Sequence, residues 1–397
     1  MSKYIKLIIL FIFASLCFYN PSQILSVPVQ KMAFYSISVL CIFVAFRNYK
    51  STNFKDFPKV AYCLLIFGFV IAALMGTVFH EQSMVVSIQA ILFRWFAYSF
   101  LFILFAFNPP IEKIEKLLVV MGIIGMIVNG VNMLTAPHCL FGSEQEEIDN
   151  SRGFIRVRTT IIYIVFLFFY SLSQYKIQKK KLWGLSIIAS YMFIVFWVAR
   201  QYIVLAAAFG LFFYMSKVKL YKKFIIVLFF WGFYQIVISE VPFVKNMIEM
   251  SENQHERSEE KDDIRIIAWD FYTNSYQTNE VTRILGNGVP SMGNSTWGYE
   301  FQKITDALRV FPSDVGWAGF YFYHGLLALL GLAYIFIKAI FCKKVKRYQY
   351  ISYPLLLYCI TSFAGGGILF PEEVTALMLF FYIALKTKEK KNNYEYL

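Results

Sequence analysis

Residues 83–107 read SMVVSIQAILFRWFAYSFLFILFAF, an apolar run that carries a single charge, at Arg94. A helix of this length crosses roughly 30 Å of hydrocarbon, the thickness of a bilayer core. Arg94 lies near the middle of the run, where an ionisable group is costly and is a candidate for function. The alternative is an internal pair with a glutamate or a backbone carbonyl.

Similar apolar runs recur along the whole chain. Of its 397 residues, 58% are hydrophobic, 19% are aromatic and only 16% are charged, a composition typical of a polytopic membrane protein. The net charge of +13 comes from short basic clusters between the runs, as in cytoplasmic loops. We therefore predict an all-α protein embedded in the lipid bilayer, with no nucleic-acid partner.

The runs predict about twelve transmembrane helices in a single membrane domain, 1–397. Basic clusters occupy every second connector, which predicts that both termini are cytoplasmic. The first run lacks a cleavage pattern of small residues after it and is interpreted as a retained span. The predicted spans lie near 4–19, 28–46, 58–79, 83–107, 117–135, 158–175, 182–199, 201–216, 222–239, 314–341, 350–367 and 370–385.

This pattern predicts two segments on the outer face, 136–157 and the large polar segment 240–312, inserted between the ninth and tenth spans. The polar segment contains the pattern of an amphipathic helix that begins near Ser258 and would lie on the membrane surface. Arg265 on this helix could present its planar guanidinium to a lipid phosphate, or it could pair with an acidic residue one turn away. The apolar stripe comprises Ile264, Ile267, Ala268 and Phe271, and the neighbouring face holds Arg265, Trp269 and Tyr272.

Further arginines lie at the predicted outer face. Arg200 stands between two apolar runs, where a tight hairpin would expose it to a ligand or use it as an interfacial anchor. Arg152 and Arg156 lie near the end of the 136–157 segment, and Arg158 follows it directly. Positive charge is sparse on this face, so these arginines need a counter-charge. Either the nearby acidic residues or an anionic ligand could supply it.

Three acidic positions and one histidine are candidates for proton chemistry. Asp314 precedes the tenth span, where it or Ser313 could cap the helix, or its carboxylate could accept a proton from an acceptor hydroxyl. His324 is interpreted as a bundle-facing, hydrogen-bonding residue. Glu372 and Glu373 follow a glycine-rich turn and are interpreted as rim charges, with a second catalytic carboxylate as the alternative.

Two kinds of residue in the polar segment could contact a substrate. Gly286 and Gly288 lie in a turn-rich stretch in which backbone amides could approach a ligand. Trp269, Tyr272 and Trp297 are candidate platforms for stacking on sugars, although aromatic residues at a membrane interface are more often anchors.

The layout of the chain and several short motifs resemble the O-antigen ligase and polymerase superfamily of bacterial membrane glycosyltransferases. Ligases of this family carry a histidine at the position that Asp314 occupies here, so the resemblance favours a polymerase. Arg200 follows Ala199, where the family often has a serine. The motifs are Arg152-Gly153-Phe154, Arg200, Arg265 to Trp269 with Leu285-Gly286-x-Gly288, and Asp314 to Gly331.

The resemblance implies a GT-C-like fold in the bacterial inner membrane and a metal-independent, inverting transfer without a cofactor. Its substrates would be oligosaccharides linked to undecaprenyl pyrophosphate, and a chain-length regulator would be a partner. Arg200 and Arg265 would hold the diphosphate with help from Arg152 or Arg94, because fixed guanidiniums stabilise the charge of the leaving group. Asp314 would orient or deprotonate the acceptor hydroxyl.

Three alternatives remain at this stage. A ligase would pass finished chains to another acceptor, and a flippase or other transporter would move lipid-linked sugars without joining them. A transporter is expected to have two related halves with broken helices and short outer loops, whereas this chain has one long polar segment. The third alternative is a non-catalytic scaffold.

Overall fold

The computed structural model describes most of the chain as a bundle of helices. It describes residues 4–15, 27–49, 54–135, 138, 140–141, 148–149, 156–157, 161–197, 199–215, 263–277 and 279–388. The predicted ninth span, 222–239, and the predicted helix start near Ser258 lie outside these residues. Within them, the strands are the two-residue antiparallel pair β1 (Ile148–Asp149) and β2 (Arg156–Val157).

The described helices follow apolar runs, and further helices lie in the described part of the polar segment, from residue 263 onward. In the first half of the chain they are α1 (Ile5–Ser15), α2 (Val27–Asn48), α3 (Lys59–His80), α4 (Met84–Phe107), α5 (Ile111–Thr135), α6 (Ile162–Gln178), α7 (Lys181–Phe196) and α8 (Arg200–Tyr214). In the second half they are α9 (Ile264–Asp270), α10 (Glu280–Leu285), α11 (Thr296–Leu308), α12 (Gly316–Phe341), α13 (Ser352–Thr361) and α14 (Pro371–Lys386). A π-helical turn, Phe271–Ser275, extends α9, and 3-10 turns cover Pro312–Asp314, Lys346–Ile351 and Gly367–Leu369.

Among the described residues, five helices are long and apolar enough to cross a membrane: α3, α4, α5, α12 and most of α2. The chain is therefore a helical membrane protein. Helices α1, α7 and α8 are apolar but shorter. The predicted count of twelve spans stays a prediction.

Helix α14 lies at the centre of the bundle. Every residue from Pro371 to Leu385 is buried, because α14 packs against α4, α12, α1 and α6. A helix that is apolar on all sides lies either in a protein core or in lipid, and the burial of this one shows that other helices surround it. The first turn of this central helix carries Glu372 and Glu373.

Helices α3 and α12 pack against each other at small residues. A Cβ added to Gly68 would lie 2.5 Å from the Cβ of Ala328, and one added to Gly331 would lie 2.5 Å from the carbonyl oxygen of Ala61. Small residues let two membrane helices approach closely and gain dispersion contacts along their backbones. This pair forms the wall against which the polar segment packs.

The regular geometry of α12 is interrupted at Gly325, which has a φ of 75°. The carbonyls of Phe322 and Tyr323, just before this break, accept hydrogen bonds from the amides of Asn287 and Gly288, at 2.9 and 3.1 Å. The polar segment thus supplies donors to a helix whose own pattern is interrupted, which fixes the segment to the bundle.

Candidate active site

The loop between α13 and α14, Ser362–Phe370, contacts the elements that carry most of the candidate residues. We call it the glycine loop, because it contains Gly365, Gly366 and Gly367. Its carbonyls act as acceptors: Gly365 accepts from the amide of Gly316 at 3.1 Å, and Ser362 accepts from that of Trp317, also at 3.1 Å.

These two bonds satisfy donors in the first turn of α12, which have no partner inside the helix. The cap residue is Val315, and no side chain caps the helix. The prediction that Ser313 or Asp314 caps this helix was therefore wrong.

Asp314 instead ends a 3-10 turn that packs against the glycine loop. A Cβ added to Gly366 in that loop would lie 2.7 Å from the Cα of Ser313 in the turn. The side chain of Asp314 is half-buried.

Arg200 is the first residue of α8, and its side chain is half-buried. The next residue, Gln201, donates from Nε2 to the carbonyl oxygen of Ala364 at 3.3 Å. The start of α8 therefore contacts the glycine loop, and α8 also packs along α13.

Arg265 reaches the same region through α9. Trp269, one turn further along this helix, donates from its indole nitrogen to the carbonyl of Phe363 at 3.0 Å, and the two rings stack with centroids 5.9 Å apart. Side chains four residues apart lie on the same helix face, so Arg265 and Trp269 are neighbours. Helix α9 also contacts the Pro312–Asp314 turn.

The Arg265 side chain is exposed and forms no ion pair with any residue that the structure describes. The acidic residues at the two ends of α9 have other partners. Asp263 caps the helix by accepting from the amide of Arg265 at 2.8 Å. Hydrogen bonds from Ser275 and Asn274 hold the pKa of Asp270 below its usual range. Among the described residues, local pairing therefore does not engage the guanidinium of Arg265.

Arg94 lies inside the bundle rather than in the site. Its Nε donates to the carbonyl of Leu369 at 3.0 Å, and its guanidinium lies 5.0 Å from the ring centre of Tyr323. Glu372 is close enough to interact with it electrostatically. This is the internal pairing that the sequence left open, and it fixes the far end of the glycine loop.

Glu372 and Glu373 are buried, with 6% and 8% of their surface exposed. The interpretation of both as rim charges was wrong, because the first turn of α14 lies inside the bundle and not at its rim. Glu373 accepts a hydrogen bond of 2.8 Å from the hydroxyl of Tyr358. Carboxylates in a first turn are also stabilised by the helix dipole. An acidic pair directly before a long apolar run was the available signal for these buried groups.

Gly286 and Gly288 contact protein backbone. A Cβ added to Gly286 would lie 2.6 Å from the amide nitrogen of Gly325, and one added to Gly288 would lie 2.6 Å from the carbonyl oxygen of Ala72. Both glycines have a φ of 87°, which side chains disfavour. The amides of Asn287 and Gly288 donate to carbonyls of α12. Close packing of backbones therefore explains Gly286 and Gly288, and the prediction that amides of this stretch approach a ligand has no support in this geometry.

Two of the three candidate stacking residues belong to the core. Tyr272 is fully buried and donates to the carbonyl of Val310 at 3.0 Å, so neither ring face can receive a sugar. Burial, and after it the neighbouring Tyr323 and Asp314, raise its pKa. Trp297 is also buried, stacked on His80 with ring centroids 3.9 Å apart. Trp269 is half-buried and remains at the edge of the site.

His324 faces the bundle interior as predicted, with no exposed surface. It packs on the ring of Phe69, with centroids 4.1 Å apart. Neither ring nitrogen has a hydrogen-bond partner among the described residues, so the predicted hydrogen-bonding role does not appear there. Arg152 lies outside the described residues.

The structure thus brings the elements of Arg200, Arg265 and Asp314 to one loop, with Glu372 and Glu373 buried beneath it. Guanidiniums are groups that bind anions, and a carboxylate is a group that can accept a proton from a hydroxyl, so the elements that meet at this loop carry both kinds of group. No protein-family model matches the chain, and no curated protein matches it.

Proposed function

We propose that this protein is a membrane glycosyltransferase that polymerises undecaprenyl-pyrophosphate-linked oligosaccharide repeat units into a surface polysaccharide. The proposal includes a GT-C-like fold of about twelve spans in the bacterial inner membrane, with the glycine loop at the outer face. One observation carries it: α8, α9 and the Pro312–Asp314 turn, which bear Arg200, Arg265 and Asp314, all contact the glycine loop. These residues are far apart in the chain, and their elements meet here.

In the proposed reaction, an acceptor hydroxyl attacks the anomeric carbon of a sugar on its lipid diphosphate. The new carbon–oxygen bond forms as the bond to the diphosphate breaks, so the configuration inverts and the bond's electron pair leaves with the diphosphate. Arg200 and Arg265 stabilise that growing negative charge, with Arg152 as an additional binding residue. The hydroxyl proton passes to the carboxylate of Asp314.

Arg94 has a different role in this proposal from the one that the resemblance implies. Its Nε is engaged by Leu369 inside the bundle, so we assign it to holding the glycine loop in place. Trp269 similarly fixes α9 to that loop and offers its remaining exposed edge to the sugar.

The test is joining of repeat units by purified protein in proteoliposomes that contain lipid-linked repeats. Replacing Arg265 by Ala is expected to slow chain growth about a hundredfold, as loss of one fixed donor to a developing anion does. Replacing Arg265 by Lys should give a rate of chain growth only slightly above that of the Ala variant, because an ammonium lacks the planar set of donors of a guanidinium. Lys303→Ala is the matched control, since Lys303 is an exposed cation of the same polar segment.

Near-normal joining by both Arg265 variants would refute the proposed clamp. Translocation of the lipid-linked units without joining would identify a flippase instead. Transfer of finished chains to a different acceptor, without elongation, would identify a ligase.

A further inference from the structure

A groove separate from the glycine loop runs along the junction of α3 and α12, at the end of the bundle where α3 begins and α12 ends. It lies beside the close contact of Gly331 with Ala61, where the two backbones nearly touch and longer side chains on either side form walls. Its lining includes Lys59, Val60, Leu64, Ala333, Tyr334, Ile337 and Lys338.

The walls of this groove face outward. Val60 is 77% exposed, Tyr334 is 54% exposed and Ile337 is 57% exposed, although all three line an apolar surface. In a helical membrane protein, such outward-facing apolar side chains meet lipid. The apolar walls of the groove therefore suit contact with a hydrocarbon chain.

One end of the groove is basic. Lys59 is the first residue of α3, and Lys338 lies in the last turn of α12. Neither forms an ion pair with a residue in the described ranges. Lys55 also lines the groove, and Asp56 is the one acidic residue in the segment between Lys55 and Lys59. The end of the groove therefore keeps an excess of positive charge.

The basic end lies at the opposite membrane surface from the polar segment. Gly76 of α3 packs against Gly288 of that segment. Lys59 precedes Gly76 by about five helical turns, a separation of about 25 Å along the helix axis. This span matches the thickness of a bilayer core, so the lysines reach the level of the lipid head groups.

We propose that this groove binds an anionic diacyl phospholipid from the surrounding bilayer. Its phosphate lies between the ammonium groups of Lys59 and Lys338, and one acyl chain follows Leu64, Tyr334 and Ile337. Charge complementarity selects this occupant, since a basic pocket between helices at a membrane surface attracts acidic head groups. The site is independent of the proposed glycosyl transfer.

The test counts lipids that remain bound to the full-length protein in native mass spectrometry, with phosphatidylglycerol as the probe and phosphatidylcholine as its neutral counterpart. Phosphatidylglycerol should bind in preference. The double variant Lys59→Gln and Lys338→Gln should weaken its tightest binding roughly thirtyfold, since each lysine near a membrane surface contributes about a tenfold factor or less. Gel filtration checks that the variant stays folded.

A double variant of Lys116→Gln and Lys346→Gln removes the same charge from two exposed lysines outside the groove, so it should bind as the unaltered chain does. Ala333→Phe keeps every charge but fills the groove, so it should weaken binding as well. Any of three outcomes would overturn the proposal. The two lipids could bind with equal affinity, the two double-lysine variants could lose equal affinity for phosphatidylglycerol, or the Ala333 variant could bind it unchanged.

Discussion

The chain contains two glycine-rich segments that the structure uses in opposite ways. In Leu285–Pro290, the glycines bring backbone against backbone, and the amides bond to carbonyls of α12. This stretch has no charged side chain. In the glycine loop, by contrast, backbone carbonyls anchor Arg94, Gln201 and Trp269 from three other helices.

The comparison shows that glycine content alone does not identify a binding site. Both segments let other elements approach closely, but only the glycine loop is contacted by the elements that bear Arg200, Arg265 and Asp314. The first segment therefore locks the bundle, and the second is the candidate for chemistry. The predictions that follow test this division.

The largest expected effect is on the first segment, through Gly286→Ala. The substitution should lower the free energy of unfolding by about 4 kcal/mol, because a Cβ meets backbone atoms and the positive φ is strained. Gly293→Ala is the control: its φ is 80°, but nothing lies within 4 Å, so only about 1 kcal/mol of strain is expected. Titration with a denaturing detergent measures the free energy of unfolding of both variants. Equal losses of that free energy would mean that close packing at Gly286 is unimportant.

A smaller effect is expected beneath the glycine loop, through Tyr358→Phe. This change removes the hydrogen bond to the buried carboxylate of Glu373 and should cost about 2 kcal/mol of unfolding free energy. Tyr382→Phe provides the comparison, because the hydroxyl of Tyr382 donates to the neutral carbonyl of Pro109 and its loss should cost about 1 kcal/mol. If both variants lose the same stability in the same titration, the bond to the Glu373 carboxylate contributes no more than one to a neutral carbonyl.

The smallest effect is expected where α9 meets the glycine loop, through Trp269→Phe. Phenylalanine keeps the stack on Phe363 but loses the indole hydrogen bond, so about 1 kcal/mol of local stability should be lost. Hydrogen exchange of the α9 amides should become faster. Trp183→Phe, which removes an exposed indole bond to Gln178, should leave that exchange unchanged. Unaltered exchange in the Trp269 variant would show that other contacts fix α9.

Hydropathy predicted the long helices closely. The spans predicted near 58–79, 83–107 and 314–341 correspond to α3, α4 and α12. The fifth span was predicted to begin at 117, but α5 begins at Ile111. Its first turns carry Lys113 and Lys116, and such charges at a helix end reach the head groups without ending the helix.

The side-chain roles were predicted less well. Glu372 and Glu373 were placed at the rim because charge normally marks a surface, yet the short helix that carries them is surrounded by others. The sequence pattern predicts Tyr272 on the same face as Arg265 and Trp269 of an amphipathic helix at the membrane surface. A π-helical turn and packing on Phe322 instead direct it inward. The acidic pair before a long apolar run was the one local signal for the buried glutamates, whereas the inward turn of Tyr272 depends on packing between elements.

The amino-acid sequence by itself determined that this is a helical membrane protein with one long polar segment, because hydropathy and the reach of a helix across lipid are local properties. Tertiary structure alone decided which residues share a site. The contacts that join Gln201 to Ala364 and Trp269 to Phe363 span 163 and 94 residues of chain, and no periodicity extends over such separations. They form because the broken, close-packed backbones of α12 and the glycine loop offer carbonyl groups that other helices must satisfy.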